Sequence, residues 1–228
     1  MNILAITPAR AGSKGLPGKN TKVMCGKPLI KWCVEEVAKS ILVNTHVITT
    51  DYVGRIQAIV GWENVIGRPD ELSTDSAKLI DVLIDVVTRE EYTKYDVIVE
   101  VLCTNPLFTY KDLDSIITKL IDHKADSVVG VCNAQETHPQ RLKWIGDDGI
   151  LREFEGQEER PNLNRQDYRP LAYKRTAGII AMTRESLISH GRGGGKRLAY
   201  IMPEERCVDI DTEMDFILAE ALMKRRMA

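Results

Sequence analysis

Apolar residues along the chain follow two alternating patterns. Short, nearly continuous apolar runs are typical of buried strands, and they predict strands at 3–7, 46–50, 64–67, 97–103, 127–132 and 176–183. Between them, apolar residues recur near a 3.6-residue period, which predicts helices at 28–40, 53–60, 75–89, 113–123, 184–189 and 213–226. Strands that alternate with helices indicate an α/β fold with a mostly parallel sheet.

Residues 133–173 interrupt this alternation. The stretch is mostly polar, and the glycine- and aspartate-rich run at 146–149 predicts a hairpin turn. Apolar pairs flank that turn, at 144–145 and 150–151. We therefore expect one domain over residues 1–228, with 133–173 as an insertion that projects from the sheet.

Composition excludes several classes of protein. The chain has 228 residues, 43% hydrophobic and 28% charged, as expected of a soluble globular protein. Its net charge of −2 implies no overall attraction to nucleic acid or to an anionic membrane. It contains no apolar run long enough to span a membrane and no secretory signal. Five scattered cysteines without a C-x-x-C pair indicate reduced thiols and a cytoplasmic protein.

A loop rich in glycine and positive charge follows the first predicted strand. Over residues 10–20 it interleaves cations and glycines: Arg10, Lys14 and Lys19 with Gly12, Gly15 and Gly18. Glycine lets backbone N–H groups turn toward a ligand, and successive N–H groups with nearby cations form a concave anion site. The spacing matches neither of the two common phosphate fingerprints. It predicts a polyphosphate-binding loop of a third kind, with a solvated turn as the alternative.

Two carboxylates near the end of the chain form a second candidate site. Asp209 and Asp211 are two residues apart, so in a strand they face the same side. Mg²⁺ is typically held by one or two carboxylates together with substrate phosphates. Alternatively, Asp211 or Thr212 serves only to cap the last helix. Beside a phosphate loop, the metal site is the preferred interpretation.

Three segments follow predicted strands and are expected to meet at one edge of the sheet. They are the loop 10–20 and the polar segments 49–51 and 104–106. In open α/β sheets, ligands bind beyond the carboxyl ends of the strands. A second glycine-rich run, 191–196, does not follow a strand as a phosphate loop would, and we interpret it as a surface loop. The four histidines show no metal-ligand spacing.

The run 10–20 closely resembles the signature of the N-acylneuraminate cytidylyltransferases, the CMP-sialic acid synthetases. Weaker similarities to the same family extend along the chain, at 68–75, 104–107, 138–141, 164–166 and 203–212. The resemblance implies a Rossmann-like sheet and transfer of CMP from CTP to the anomeric hydroxyl of a 2-keto-3-deoxy sugar acid. It also implies Mg²⁺ bound by Asp209 and Asp211, and a homodimer formed through the 133–173 insertion.

The resemblance also assigns roles to individual residues. Catalytic roles are expected for Arg10, Lys14, Lys19 and Asp211. Nucleotide contacts are expected from Arg10, Gly12, Ser13, Lys14, Lys19, Asn20 and Arg68. Sugar contacts are expected from Thr104, Asn105, Arg141, Arg165, Gln166 and Lys174, with Arg141, Arg165 and Lys174 as candidates for the sugar carboxylate. No side chain is identified as a general base.

Several positions on the sugar side depart from the family pattern. Leu102 and Cys103 replace a glutamine–proline pair, Phe108 replaces an arginine, and 176–178 differs as well. We expect these substitutions to form an apolar wall that favours a deoxygenated or N-acylated sugar. Two alternatives stay open: a nucleotidylyltransferase for an octulosonate or a sugar 1-phosphate, and a catalytically silent nucleotide-binding relative.

Overall fold

The computed structural model describes residues 1–13, 15–61, 64–154 and 164–228. Eleven strands are present in these ranges: β1 (Ile3–Pro8), β2 (Val23–Met24), β3 (Lys27–Pro28), β4 (Thr45–Thr50), β5 (Val65–Gly67), β6 (Val97–Val101), β7 (Ser127–Asn133), β8 (Lys143–Ile145), β9 (Leu151–Glu153), β10 (Tyr173–Thr183) and β11 (Arg197–Ile201). Seven of them form the central sheet, in the order β11-β7-β10-β6-β1-β4-β5.

The central sheet is mixed but mostly parallel. β1 pairs in parallel with β4 and β6, β4 with β5, and β11 with β7, whereas β10 runs antiparallel to both β6 and β7. The predicted α/β fold with a mostly parallel, Rossmann-like sheet is therefore confirmed. β10 is reversed because the insertion rejoins the sheet at the end where β7 stops, so that Tyr173 is in register with Asn133.

Six helices flank the sheet within the described ranges: α1 (Leu29–Val37), α2 (Val53–Val60), α3 (Leu79–Thr88), α4 (Tyr110–Asp122), α5 (Arg184–His190) and α6 (Glu213–Met227). One face of the sheet buries its side chains against α1, α2 and α4. The other face packs on α3 and α5. A third apolar cluster joins α6 to α1 and to the segment after the first loop.

Two elements differ from the sequence prediction for local reasons. Helix α3 begins at Leu79 rather than at 75, because Thr74 and Asp75 bind Arg10 across the cleft. The segment 207–211, predicted as a strand, belongs to no sheet. It is held instead by a hydrogen bond of 2.8 Å from Ile210 N to Thr104 O.

The predicted hairpin lies within the insertion. β8 and β9 pair antiparallel, and Gly149 in their turn has a φ of 76°, a conformation that favours glycine. The apolar side chains of this hairpin are exposed: Trp144 43%, Ile145 70%, Ile150 55% and Leu151 63%. Arg152 lies over the Trp144 ring at 5.3 Å, and the exposed parts of the four side chains form an apolar surface.

Candidate active site

Two cavities open side by side at the carboxyl edge of the sheet. One, the loop cavity, has a volume of about 520 Å³ and is lined by the first loop, Arg68 and the start of α3. The other, the β10 cavity, has a volume of about 700 Å³ and is lined by the start of β10, the segment 204–209 and α6. Asp211 lines the loop cavity and Asp209 lines the β10 cavity. The two carboxylates therefore lie in the wall between the cavities.

The first loop is braced by polar side chains from other segments. Asp51, directly after β4, accepts a hydrogen bond of 2.8 Å from Ala11 N. The side-chain amide of Asn20 donates to Arg10 O at 2.9 Å and accepts a hydrogen bond from Cys103 Sγ. Asn20 thus shapes the loop and also lines the cavity. Sequence reasoning placed 49–51 at this edge but assigned no role to Asp51.

Lys19 joins the first loop to the carboxylate pair. Its ammonium group donates to Ile210 O at 2.6 Å and to Asp211 Oδ1 at 2.8 Å. The loop approaches the same segment closely at Gly15, where an added Cβ atom would lie 2.5 Å from Asp211 O. Only glycine fits at that position without displacing the backbone. The two motifs at opposite ends of the sequence therefore form one continuous site.

Arg10 and Arg68 both line the loop cavity. Arg10 donates to Thr74 O at 2.9 Å and pairs with Asp75 at 2.9 Å. Arg68 is 8% exposed and donates from Nη2 to Thr49 O at 2.8 Å, while its buried Nε has no hydrogen-bond partner within the described chain. Burial lowers the pKa of Arg68. Arg68 thus brings a buried positive charge to the wall of the loop cavity.

The other predicted nucleotide contacts are placed as follows. Ser13 lines the loop cavity. A Cβ atom added at Gly12 would have no other heavy atom of the described chain within 4 Å, beyond its chain neighbours. Lys14 lies outside the described residues.

Asp209 and Asp211 have different surroundings. Asp209 is partly buried, and its Oδ1 has no hydrogen-bond partner within the described chain. Burial raises its pKa, a hydrogen bond from the Thr104 side chain opposes that shift, and the charge of Asp211 adds to it. Asp211 is 72% exposed and paired with Lys19. Lys19 thus binds one oxygen of Asp211, whereas Asp209 keeps a buried oxygen without a hydrogen bond within the described chain.

The capping alternative is resolved by Thr212. Its hydroxyl accepts a hydrogen bond from Asp215 N, and the Asp215 carboxylate accepts one from Thr212 N, which together form a capping box at the start of α6. Asp211 is therefore not needed as the cap.

A divalent metal fits this donor set. The buried, unpartnered Oδ1 of Asp209 is a hard oxygen ligand of the kind that Mg²⁺ prefers. No cluster of three or more potential ligands exists among the described residues. The two carboxylates would thus hold the ion together with phosphate oxygens of the nucleotide.

The predicted sugar-side residues do not all meet at the cavities. Thr104 lines the loop cavity and Lys174 lines the β10 cavity. Asn105 is fully buried against Gly178, with both amide atoms unpartnered within the described chain. Arg141 pairs with Glu136 at 3.3 Å in the insertion.

The remaining predicted sugar contacts lie in a turn of the insertion. Gln166 is exposed in the turn Arg165–Asp167. The side chain of Arg165 lies outside the described part.

The expected apolar wall is reduced to a single residue. Leu102 lines the loop cavity, but Phe108 is fully buried in the core between the sheet and its helices, and Cys103 is 1% exposed. The prediction assumed that all three side chains reach the pocket. Phe108 instead fills the core just before α4, so its replacement of an arginine changes packing rather than the cavity surface.

The fold and the site together define a class. A Rossmann-like sheet carries at its carboxyl edge a cavity lined by a glycine- and cation-rich loop, with two carboxylates at its rim. That arrangement is typical of α/β proteins that bind nucleotides.

Comparison with known proteins identifies the family. The family model described as "Cytidylyltransferase" matches residues 4–183. The N-acylneuraminate cytidylyltransferase of Escherichia coli O18:K1:H7 is 31% identical over 98% of this chain and 52% of that protein. The CMP-N,N'-diacetyllegionaminic acid synthase of Legionella pneumophila is 30% identical over 98% of this chain and 97% of that protein. The chain therefore belongs to the cytidylyltransferase family, as the sequence motifs predicted.

Two further facts qualify these similarities. The N-acylneuraminate cytidylyltransferase of Streptococcus agalactiae serotype V is 30% identical over 95% of this chain but only 52% of its own length. The chain thus spans about half the length of several curated relatives. A solved structure of CMP:2-keto-3-deoxy-manno-octonic acid synthetase complexed with CTP has the same fold, with a TM-score of 0.71, 17% identity and coverage of 99% of this chain and 100% of that one.

No helix in the described ranges is long and apolar enough to cross a membrane.

Proposed function

We propose that this chain transfers CMP from CTP to the anomeric hydroxyl of a 2-keto-3-deoxy sugar acid, such as sialic acid or a related nonulosonic acid, and releases pyrophosphate. The observation that carries the proposal is the bridge from Lys19 to Asp211, because it joins the phosphate loop to the carboxylate pair at one edge of the sheet. The names of the relatives support the choice of nucleotide and acceptor.

The geometry assigns the work of the reaction mainly to positioning and charge. Backbone N–H groups of the first loop, with Arg10, Lys14 and Lys19, hold the triphosphate in the loop cavity. The anomeric hydroxyl attacks the α-phosphorus in line, the bond from that phosphorus to the β-phosphate oxygen breaks, and pyrophosphate leaves. Phosphoryl-type transfer needs little covalent chemistry from the protein. Lys19 is placed to balance charge that develops beside Asp211.

Asp209 and Asp211 would hold Mg²⁺ in this reaction. When bound, the ion neutralises phosphate charge and favours deprotonation of a nearby hydroxyl. Asp209 is suited to this role because its buried Oδ1 lacks any protein donor. Asp211 is suited because it is exposed at the rim of the cavity that takes the nucleotide.

The insertion is proposed to form a homodimer. Trp144, Ile145, Ile150 and Leu151 together expose an apolar hairpin surface, and in a two-fold dimer the same patch serves both subunits.

The protein is proposed to act in the cytoplasm, because its five cysteines are free and reduced thiols persist there.

Pyrophosphate release tests the proposed function. Wild-type protein is incubated with Mg²⁺ and CTP, ATP, GTP or UTP, each with a panel of N-acetylneuraminate, legionaminate-type acids, 3-deoxy-octulosonate and sugar 1-phosphates. We expect release with CTP and a nonulosonic acid. If the octulosonate or a sugar 1-phosphate is preferred, the proposed acceptor is wrong. If no pair of nucleotide and acceptor gives pyrophosphate, the chain is better described as a catalytically silent nucleotide-binding protein.

A further inference from the structure

A charged cluster lies inside the sheet beyond the proposed reaction centre. Glu100 on β6 is fully buried and is in register with Ile6 and Ile180, both of which pack on the α3 and α5 side. Its carboxylate accepts two hydrogen bonds from Arg192, one from Nε and one from Nη2. Arg192 belongs to the glycine-rich run 191–196, which thus reaches back into the sheet. We call Glu100, Arg192 and Arg175 the Glu100 cluster.

An irregularity in β10 brings Arg175 to this cluster. Arg175 is in register with Val131 of β7, whereas Ile180 is in register with Val129. Five residues of β10 therefore span the same interval as two residues of β7. Such bulges re-aim side chains and are frequent next to active sites. Because Val131 packs on the α3 and α5 side, Arg175 faces the same side of the sheet as Glu100.

The bulge is fixed by contacts on both sides. Thr176 Oγ1 donates to Gly130 O at 3.3 Å, and Leu102 N donates to Gly178 O at 2.9 Å. A Cβ atom added at Gly178 would lie 2.7 Å from Asn105 Nδ2, so glycine is required there. The position of Arg175 is consequently set by the backbone.

Arg175 is the unpaired member of the cluster. Its residue is exposed, and its guanidinium has no hydrogen-bond or ion-pair partner within the described chain. Burial, with repulsion from Arg192 and Arg197, lowers its pKa. The single carboxylate of Glu100 is already committed to Arg192. Within the cluster, two guanidinium groups thus share one carboxylate, and the guanidinium of Arg175 is left open to solvent or to a ligand.

Arg175 also forms part of a cavity wall. It lines the β10 cavity, while Leu102, two residues after Glu100, lines the loop cavity. Its neighbour Lys174 is in register with Cys132, which packs on the opposite side of the sheet. Lys174 and Arg175 thus flank the end of β10 on opposite sides.

We propose that Arg175 binds the carboxylate of the acceptor sugar acid, with the Glu100–Arg192 pair as its positioning support. The inference rests on the proposed function, which supplies an acceptor with a carboxylate next to the attacking hydroxyl. A guanidinium binds a carboxylate through two parallel hydrogen bonds, which a lysine cannot do. The assignment adds Arg175 to the three cations expected from sequence, of which Lys174 lines the same cavity and Arg141 is paired with Glu136.

The kinetic test compares three variants with wild type. Arg175→Met should raise KM for the acceptor by roughly ten- to a hundredfold, the loss expected for a hydrogen bond to a charged group, and leave KM for CTP unchanged. The acceptor KM of Arg175→Lys should lie between those of wild type and Arg175→Met, because lysine keeps the positive charge but cannot form two parallel hydrogen bonds. The matched control is Arg197→Met. Arg197 lies on the same side of the sheet, but its guanidinium donates a hydrogen bond to Gly193 O. The acceptor KM of this variant should change less than twofold. An unchanged acceptor KM in Arg175→Met would overturn the inference.

Binding supplies a readout that does not depend on turnover. The arginine Nε–Hε NMR signal assigned to Arg175 by its loss in Arg175→Met should shift on titration with N-acetylneuraminate and not with its methyl ester. The acid that turns over best replaces N-acetylneuraminate once it is identified. If the protein turns the acid over but the Arg175 signal does not shift on titration with it, the inference about Arg175 is wrong and the proposed function still stands. Absence of turnover with every acid in the panel contradicts the proposed function, and a carboxylate-dependent shift would then still support the anion site.

Discussion

The loop cavity and the β10 cavity share a wall but are built differently. In the loop cavity the charged groups are tied to one another: Lys19 to Asp211, Arg10 to Asp75 and the loop backbone to Asp51. The β10 cavity is lined by the cations Lys174, Arg175 and Arg225 and by the carboxylates of Glu204, Glu205, Asp209 and Asp215, and none of these cations forms an ion pair within the described chain. One side is held in place before a ligand arrives, and the other leaves its charges unpaired.

This difference matches the demands of the two proposed substrates. A triphosphate is the same in every turnover, so donors fixed in advance stabilise its developing charge without reorganisation. An acceptor sugar varies between relatives, and specificity for it arises from a few groups whose pairing depends on the ligand. Variants on the loop side should therefore affect nucleotide and turnover, and variants on the β10 side should affect the acceptor.

The largest effect is expected for the carboxylate in the shared wall. Asp211→Asn keeps size and hydrogen bonding but removes one negative charge, so kcat should fall by roughly two to three orders of magnitude, several kcal/mol of transition-state stabilisation. Steady-state kinetics with and without EDTA measure this. The matched control is Thr212→Ala, which removes the cap of α6 and should cost about 1 kcal/mol of stability while activity is retained. Near-normal turnover of Asp211→Asn, or full activity in excess EDTA, would eliminate the metal site.

A smaller effect is expected for the lysine that bridges the loop. Lys19→Ala removes the proposed contact to phosphate, so KM for CTP should rise roughly ten- to a hundredfold. Lys22→Ala serves as the control, because Lys22 lies just after the same loop but pairs with Glu213 at 3.0 Å. Equal CTP kinetics for wild type and a folded Lys19→Ala protein would remove Lys19 from the site.

The hairpin tests whether the insertion forms the proposed homodimer. Ile145→Asp combined with Leu151→Asp places charge on the proposed interface and should raise the dimer dissociation constant at least about tenfold, since burying an unpaired charge is costly. Light scattering over a concentration series gives the constant. Ile41→Asp is the control, because it makes the same change at a residue that is 87% exposed and distant in sequence from the hairpin. A wild-type protein that is monomeric at micromolar concentration contradicts the dimer.

The smallest effect concerns the strands behind the loop cavity. Burial lowers the pKa of His46 to about 4, against about 6.5 in an unfolded chain, and His46 hydrogen-bonds Thr7 Oγ1 at 2.8 Å. The unfolded state thus binds more protons between these values. The free energy of unfolding should be constant above about pH 7.5 and should have fallen by about 2 kcal/mol at about pH 5.

His46→Gln provides the control for this titration. The variant keeps a hydrogen-bonding group and should lose that part of the pH dependence in urea unfolding. Parallel pH profiles for wild type and His46→Gln would show that His46 does not titrate in this way.

The sequence was informative where local chemistry determines structure. Helix α2 has the predicted bounds 53–60, and the hairpin turn lies where its glycines indicated. The first residues of α4 were missed although Thr109 and Asp112 form a capping box three residues apart, a signal that the sequence does contain. The family and the α/β fold were likewise predicted, because their motifs are local runs of residues.

The remainder depends on contacts between distant segments. Arg192 meets Glu100 across 92 positions of sequence, and Lys19 meets Asp211 across 192. The antiparallel direction of β10 and its bulge follow from pairing with two strands at once. Phe108 reads as a pocket residue until the packing of α4 places it in the core. Pattern and spacing carry no information on such pairings.

The division between the two cavities is tested most directly by measuring both Michaelis constants in Lys19→Ala and Arg175→Met. The account predicts a crossed result. Lys19→Ala raises KM for CTP and leaves KM for the sugar acid within about twofold, and Arg175→Met does the reverse, with each change roughly ten- to a hundredfold. If both variants raise the same constant, or if either raises both equally, the two cavities do not bind separate substrates and the account is wrong.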